Sequence, residues 1–546
     1  MKIEVYNALI ARQGMTRRAF LEGAAAIGSL AAVGVGGGPA IAQDSIRAQI
    51  MNIPGVGKGS PSDADRQKVG ELCLGPTKAA IKEGEFKGVE ISFMGVNTSG
   101  VHNVVYRGFL KAWEDYTGCK INWIDLAQTD YGARLTQAIA TGTVDWDIFE
   151  MGAALEGDPM SKGMLDEMPD WVAKQIEIDE YVDYLKAPVG TWEGKTYRVS
   201  VDGDTLTMNY RTDYFKDPAI TAATGITAVP TTWQRMAEFT KKVKGQKDPL
   251  TGGKAYGYLD SYKPWGGYDF YYLTNRAVSY VKYPGNPAFL FDPETMKPYI
   301  NNPGWVQGIQ DHLDMLKYQP DDQINADPLT TAFQQFMAGT GSALSWWGDV
   351  GTRAMTDDAS MVGNVISFAV SPGSDRVFNV KTNQWETPSQ PNVAPNMATI
   401  GWGIYVTNRV SGDEKKRKAA WSAAAHLGGK DLSLWTSAYP SGFQPYRKSN
   451  FNYDEWVAAG YDRDYITAYL KANLDSYTHP NAAIEPRIPG LFQYYSVAED
   501  ELAKFFTGQY KSAQEAADAI AAAWEKITDQ IGREKQIKYY RTALGV

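Results

Sequence analysis

Cysteine and histidine are nearly absent: the 546 residues contain two cysteines, Cys73 and Cys119, and four histidines. Two lone thiols make neither a zinc nor an iron–sulfur ligand set, and no two of His102, His312, His426 and His479 fall at metal-ligand spacing. The expectation is no metal and no cofactor. An oxidising compartment would let Cys73 and Cys119 pair, but their separation in sequence leaves both a disulfide and two unrelated buried thiols open. Positive charge is also short. Lys and Arg number 54 against 63 Asp and Glu, a net −9 that offers no basic footprint for a phosphate backbone, so nucleic acid is not expected as a partner. No apolar run reaches the length needed to span a bilayer. Catalytic motifs are missing too. Gly252-Gly253-Lys254 lacks the earlier Gly and following Ser/Thr of a P-loop, the glycine run at 34–38 breaks at Pro39, and no Gly-x-Ser-x-Gly elbow occurs. Asp202-Gly203-Asp204 reads as neighbouring acids in a turn rather than a glycosidase pair. No catalytic residue is assigned.

Aromatic residues, by contrast, abound: 16 Trp, 32 Tyr and 19 Phe, in a chain that is 44% hydrophobic and 21% charged. Such a composition is that of a soluble globular protein, long enough for two or three domains. Aromatics fill cores, and they also line clefts that grip flat-faced ligands.

The N-terminus carries Thr16-Arg17-Arg18-Ala19-Phe20-Leu21, then a weakly apolar Gly/Ala-rich run and Ala40-Ile41-Ala42. This order predicts a twin-arginine export signal at 1–42, cleaved after Ala42, with Glu22 where such signals usually have Lys and a possible start at Met15. The remaining 504 residues would carry a charge of −11 and work outside the cytoplasmic membrane, in the periplasm where there is an outer membrane.

Residues 43–87 are polar and Gly/Pro-punctuated, which predicts a surface extension with one helix near 66–72. Regular α/β alternation follows. Val89, Ile91 and Phe93 alternate as a strand; Tyr106, Phe109, Leu110 and Trp113 mark a helix stripe; 120–126 is a second strand; Leu135, Ala138 and Ile139 mark a helix; 147–151 is a third strand. The β-α-β-α-β order predicts a parallel, helix-flanked sheet with ligands at the strands' carboxyl ends. Capping boxes at Thr231-x-x-Gln234, Ser411-x-x-Glu414 and Ser512-x-x-Glu515 predict further helix starts.

An ordered set of segments gives a resemblance over most of the chain from about Lys87 to Ile531. They include Asp145-Trp146-Asp147-Ile148-Phe149, Gly194-Lys195-Thr196-Tyr197 running into Leu206-Thr207-Met208-Asn209-Tyr210, and Pro230-Thr231-Thr232-Trp233. Ala332-Phe333-Gln334-Gln335-Phe336-Met337-Ala338-Gly339, Trp346-Trp347-Gly348, Gly401-Trp402-Gly403-Ile404 and Ser441-Gly442-Phe443-Gln444-Pro445-Tyr446-Arg447 follow. The chain resembles the family 1 extracellular solute-binding proteins of bacterial ABC importers, the group that includes maltose-binding protein. It departs from that family in the segment before the first strand and in longer, Pro-rich connections at 283–303 and 371–395.

The resemblance implies an α/β, two-lobed periplasmic-binding-protein-like fold of type II, closing over one ligand. One lobe would comprise 88–201 and 404–450, the other 206–395 and 451–546, with hinge strands at 202–205 and 396–403, where Gly401 and Gly403 absorb rotation. It also implies a monomer that captures a neutral carbohydrate or polyol and delivers it to a membrane permease driven by a separate ATPase. The rival is a secreted carbohydrate- or polyol-active enzyme exported folded. A sugar site needs aromatic plates plus planar polar groups. At the family's cleft positions the chain supplies Asn97, Thr98 and Ser99 at the end of the first strand, Glu150 and Met151 at the end of the third, and Asp202 and Asp204 flanking the first crossing. The second lobe offers Trp265 and Tyr268, then Trp346, Trp347 and Asp349; Trp402, Gln444, Tyr446 and Arg447 lie at the second crossing and beyond, with Arg487, Phe492 and Tyr495 near the last helical region. Acids outnumber bases here, which favours a neutral ligand over an anionic one. Of Trp346 and Trp347, at the end of a short strand, one is expected in the core and the other free to stack.

Overall fold

The computed structural model describes residues 45–53, 61–98, 101–187, 189–356, 359–439 and 442–546. Residues 1–42, and with them the expected export signal, lie outside the described residues, as does Ser99. Backbone contacts divide the chain into units 1–49 and 50–546. Of the first, only 45–49 are described, the start of the short helix Ile46–Met51. All that follows concerns the second.

Fourteen strands occur among the described residues: β1 Glu90–Thr98, β2 Val101–His102, β3 Lys120–Leu126, β4 Ile148–Gly152, β5 Arg198–Ser200, β6 Leu206–Arg211, β7 Tyr258–Leu259, β8 Ala343–Trp347, β9 Ile366–Val370, β10 Val377–Asn379, β11 Gln384–Glu386, β12 Asn396–Met397, β13 Trp402–Val406 and β14 Ala483–Ile484. β1 pairs parallel with both β3 and β4, as the βαβ reading expects, while β13 inserts antiparallel between β4 and β5. This first sheet is covered by helix Asn103–Thr117, whose buried stripe is Tyr106, Phe109, Leu110 and Trp113, and by Gln128–Thr141. A second sheet runs β7-β8-β6-β9, with β6 antiparallel to β8 and β9 and β7 parallel to β8. Helix-flanked sheets of this kind form the fold class expected from the sequence.

Several local expectations change. After Ile46–Met51 the segment before β1 holds two more helices, Asp63–Leu72, where one is expected near 66–72, and Gly75–Ala80, and Val69, Ile81 and Phe86 are buried in the main core. It is more than a surface extension. Helix Asp63–Leu72 lies so close to Asn103–Thr117 that a Cβ on Gly70 would sit 2.6 Å from the Phe109 carbonyl oxygen, and one on Gly108 2.3 Å from Arg66 Cβ. Two glycines permit a crossing that larger side chains would hold apart. Ser512 caps its helix as expected, accepting from the Glu515 N–H. The helix expected from Thr231 is capped by Thr232, and that expected from Ser411 by Asp413, because in each case a second capping residue stands one or two positions closer to the apolar stripe. Ser411 instead donates to Asp166. The connection at 283–303 is core, with Ala288, Phe289, Leu290 and Phe291 at most 1% exposed, and 371–395 contains the β10–β11 hairpin. Among the described residues no disulfide forms; Cys73 and Cys119 are buried thiols, and burial pushes that of Cys119 up to about 12. No described helix is long and apolar enough to cross a membrane.

Candidate functional site

The chain passes from β5 to β6 through the extended segment 201–205 and from β12 to β13 through 398–401. The second passage carries three successive positive φ values: Thr399 at 64°, Ile400 at 62° and Gly401 at 83°. A Cβ on Gly401 would fall 2.3 Å from the Asp202 carbonyl oxygen, so both conformation and close approach demand glycine. Thr399 and Ile400 are β-branched in the left-handed region, a strain that clusters at functional sites. Gly403 plays a different part from the one expected. It lies within β13 at ordinary strand angles, and its missing side chain makes room for the Arg198 stem, 2.3 Å from where a Cβ would be.

Around these passages the carboxylates converge. Asp202 Oδ1 accepts from the backbone N–H of Gly203 and of Gln444, Oδ2 is buried with no backbone, amide or hydroxyl donor, and the Asp202 and Asp204 carboxyls share a side-chain hydrogen bond. Asp204 accepts from the Thr399 hydroxyl and from Gln444 Nε2, and Gln444 Oε1 accepts from the Thr205 N–H. Glu150, in the middle of β4, accepts from Val96 N–H and pairs with His102 Nδ1 at 3.0 Å. His102 lies within charge range of Glu150, Asp202 and Asp349 together; burial opposes its charged form, yet the Glu150 carboxylate outweighs burial and raises its pKa. Burial, and then the neighbouring Asp202 charge, pushes the Asp204 carboxyl well above the ordinary range, and burial raises Asp202 and Asp349 likewise.

Aromatic rings stand beside these acids. Trp402 is half-buried with its ring 4.7 Å from His102. On β8, Trp346 is buried, its ring 4.4 Å from Phe333 and its Nε1 donating to Asp349 at 3.1 Å. Trp347 is half-buried, perpendicular to Trp346, and donates to the Ala398 carbonyl at 3.4 Å. The loop of Trp265 and Tyr268 is wound around Glu499, whose carboxylate accepts from the backbone N–H of Trp265, Gly267 and Phe270. Tyr268 packs 5.2 Å from Trp265 and 4.8 Å from Phe492, within charge range of Asp204 and Glu150.

Other sequence-chosen residues are placed differently. Asn97 is exposed, opposite His102 in the β1–β2 ladder, and Thr98 pairs with Val101 beside it. Met151 is buried in an apolar cluster with Met94 and Tyr405, because alternation along β4 turns it away from the face of Glu150. The Arg447 guanidinium donates to the carbonyls of Gly428 and Glu177 and lies over the rings of Tyr181 and Tyr446, 4.7 and 5.3 Å from their centroids. Tyr446 is itself fully buried. Arg487 pairs with Glu156 at 2.6 Å, and Glu156 also holds Arg198 at 2.9 Å. Both arginines are committed to buried structural partners. The Tyr495 hydroxyl donates to Glu485. Sequence reasoning passed over His102, Tyr469 and Asn473. His102 follows a strand-end turn, which is a weak signal; Tyr469 and Asn473 lie on helix Arg463–Tyr477, where their spacing looks like ordinary core.

The sequence matches the model of the bacterial extracellular solute-binding protein family over residues 109–460. Curated protein sequences give no significant match. Among solved structures, the fold is similar to an ABC transporter solute-binding protein of Agrobacterium radiobacter in complex with ribitol, at a TM-score of 0.62 and 17% identity, covering 81% of this chain and 99% of that one. A solute-binding protein of Agrobacterium vitis with bound D-mannitol gives a TM-score of 0.60 at 17% identity, covering 82% and 99%. Maltose-bound MalE3 of T. maritima gives 0.61 at 17% identity, covering 81% and 100%.

Proposed function

Because the chain belongs to the bacterial extracellular solute-binding proteins, we propose that it is the capturing component of an ABC importer, taking a carbohydrate or polyol into the junction between its two sheets. The observation that carries this reading is the meeting of half-buried indoles, Trp347 and Trp402, with the planar polar groups of Glu150, Asp202, Asp349 and Gln444. An aromatic face covers the C–H patches of a sugar, and carboxylates and amides bond its hydroxyls in pairs. The ribitol, D-mannitol and maltose held by structures of similar fold support the same ligand class.

On this reading the lobes are 88–201 with 404–450 and 206–395 with 451–546, and rotation occurs about 202–205 and 396–403. The protein is a monomer without catalysis, exported through a twin-arginine signal, and it docks closed onto a permease with a separate ATPase. Thermal shift of purified protein lacking residues 1–42 against a sugar and polyol panel tests the ligand class, since a ligand that binds only the folded state raises the melting temperature. A shift without turnover is expected. Turnover would establish an enzyme instead, and neither shift nor turnover would remove the reading. Small-angle scattering should show a smaller radius with saturating ligand, because closure requires higher affinity for the closed state.

A further inference from the structure

Some buried polar atoms at the junction have no partner. Asp202 Oδ2 and Asn473 Oδ1 are both buried and accept from no backbone, amide or hydroxyl donor, and the Asp202 carboxyl shares a side-chain hydrogen bond with that of Asp204. The Asn473 amide is oriented by its own Nδ2, which donates to the Tyr469 carbonyl at 3.0 Å, so the bare atom is the oxygen. A Cβ on Gly348 would meet Asn473 Oδ1 at 2.2 Å and Gln444 Oε1 at 2.6 Å, which places two amide oxygens at the glycine between Trp347 and Asp349. The Tyr469 hydroxyl is also fully buried and unbonded, and it lies within charge range of Asp349 and Asp202.

Charge points the same way as the unfilled acceptors. Glu150 has His102, and Asp349 has Arg353 at 3.4 Å, whereas among the described residues no cation forms an ion pair with Asp202 or Asp204, and Asp202 only feels His102 at longer range. Among the described residues no group of three His, Cys, Asp or Glu side chains is placed to hold a metal ion. A neutral polyol brings one donor and one acceptor with each hydroxyl and leaves the acid excess uncompensated. An ammonium brings three donors, no acceptor and a positive charge, and the aromatic faces alongside attract it further.

We infer that the ligand is an aminated polyol or amino sugar whose ammonium is held by Asp202 Oδ2 and Asn473 Oδ1 beside Asp349, with its carbon chain against Trp347. This rests on the sugar-or-polyol reading and narrows it to a cationic member of that class. Without a cation, burial keeps Asp202 and Asp204 towards their neutral forms, sharing a side-chain hydrogen bond; a bound ammonium would replace that proton and let Asp202 ionise.

Isothermal titration at pH 7 with matched compounds tests the inference: D-glucamine against D-sorbitol, D-glucosamine against D-glucose, and spermidine as a cation without hydroxyls. The expected result is that at least one aminated compound binds tenfold or more tightly than its neutral partner. In Asp202→Asn and Asp349→Asn that ratio should fall toward one. Melting temperatures confirm that each variant is folded, and Asn473→Leu serves if the acid variants are not. Equal or tighter binding of the neutral partners overturns this inference and leaves the sugar-or-polyol reading intact. An amine preference unchanged in the folded variants, or binding of spermidine alone, also overturns it. Binding of no compound at all removes both.

Discussion

Truncating Trp346 and Trp347 one at a time separates the stability of the fold from the grip on the ligand. The two indoles are consecutive on β8 and stand at 89° with centroids 5.4 Å apart. Trp346 is 3% exposed and packs against Phe333 at 4.4 Å and Tyr272 at 6.0 Å. Trp346→Ala leaves a cavity in that packing and should cost about 3–5 kcal/mol of stability. Asp349 loses one donor in this variant but keeps Arg353, so affinity should fall less than stability. Trp347 is half-buried and meets Tyr271 and Tyr272 edge to face at 6.0 and 5.9 Å. Trp347→Ala should weaken binding by about 1–3 kcal/mol, by analogy with aromatic stacking on bases, or roughly 5- to 150-fold in Kd. Urea denaturation reads the first effect, and calorimetric titration with the best ligand of the panel reads the second. If both variants lose stability equally and both bind within threefold of the parent, this wall of the site is wrong.

Three further outcomes follow from buried charge and backbone. Glu156 compensates two guanidinium groups, Arg198 and Arg487, that are 3% and 2% exposed, so Glu156→Ala should cost about 3–5 kcal/mol in urea denaturation, and a loss below about 1 kcal/mol would contradict the pairing. Burial pushes the Glu485 carboxyl from 4.5 up to about 8. An acid raised in the folded state leaves stability intact below its unfolded pKa and drains it as pH rises through the folded one, by up to about 5 kcal/mol here. Glu485→Gln should therefore gain stability relative to the parent between pH 5 and 9, and a pH-independent difference would refute the assignment. Gly401→Ala forces a Cβ onto the Asp202 carbonyl at φ 83° and should cost more than about 1 kcal/mol, seen as a lower melting temperature.

The sequence made the first sheet's early strands legible because they are short apolar runs bounded by polar and glycine residues, β4 being buried at every position. β3 spans the expected residues 120–126, and β1 and β4 differ from expectation only at their ends. Long-range commitments were illegible. Nothing near Arg447 announces the carbonyls of Gly428 and Glu177, and nothing near Arg487 announces Glu156, so both arginines looked available for a ligand. Before β1 the helix near 66–72 was legible and stands at Asp63–Leu72; its burial was not, because its polar face dominates the composition and the close contact is made by two glycines, Gly70 and Gly108. His102 and Asn473 gain meaning only from neighbours far away in sequence, Glu150 and Gln444.

The insertion of β13 between β4 and β5 also governs the order in which the molecule can be built. Residues 148–152 and 198–200 are neighbours of a strand that begins at residue 402, and they do not pair with each other. As the chain leaves the ribosome, the first sheet holds an open edge at β4 while the whole of the second sheet is synthesised. Pairing at such separation closes a long loop and is intrinsically slow. An unpaired, apolar edge that persists for that long is a site for misassociation. The first sheet therefore closes late, only once residues 402–406 are available.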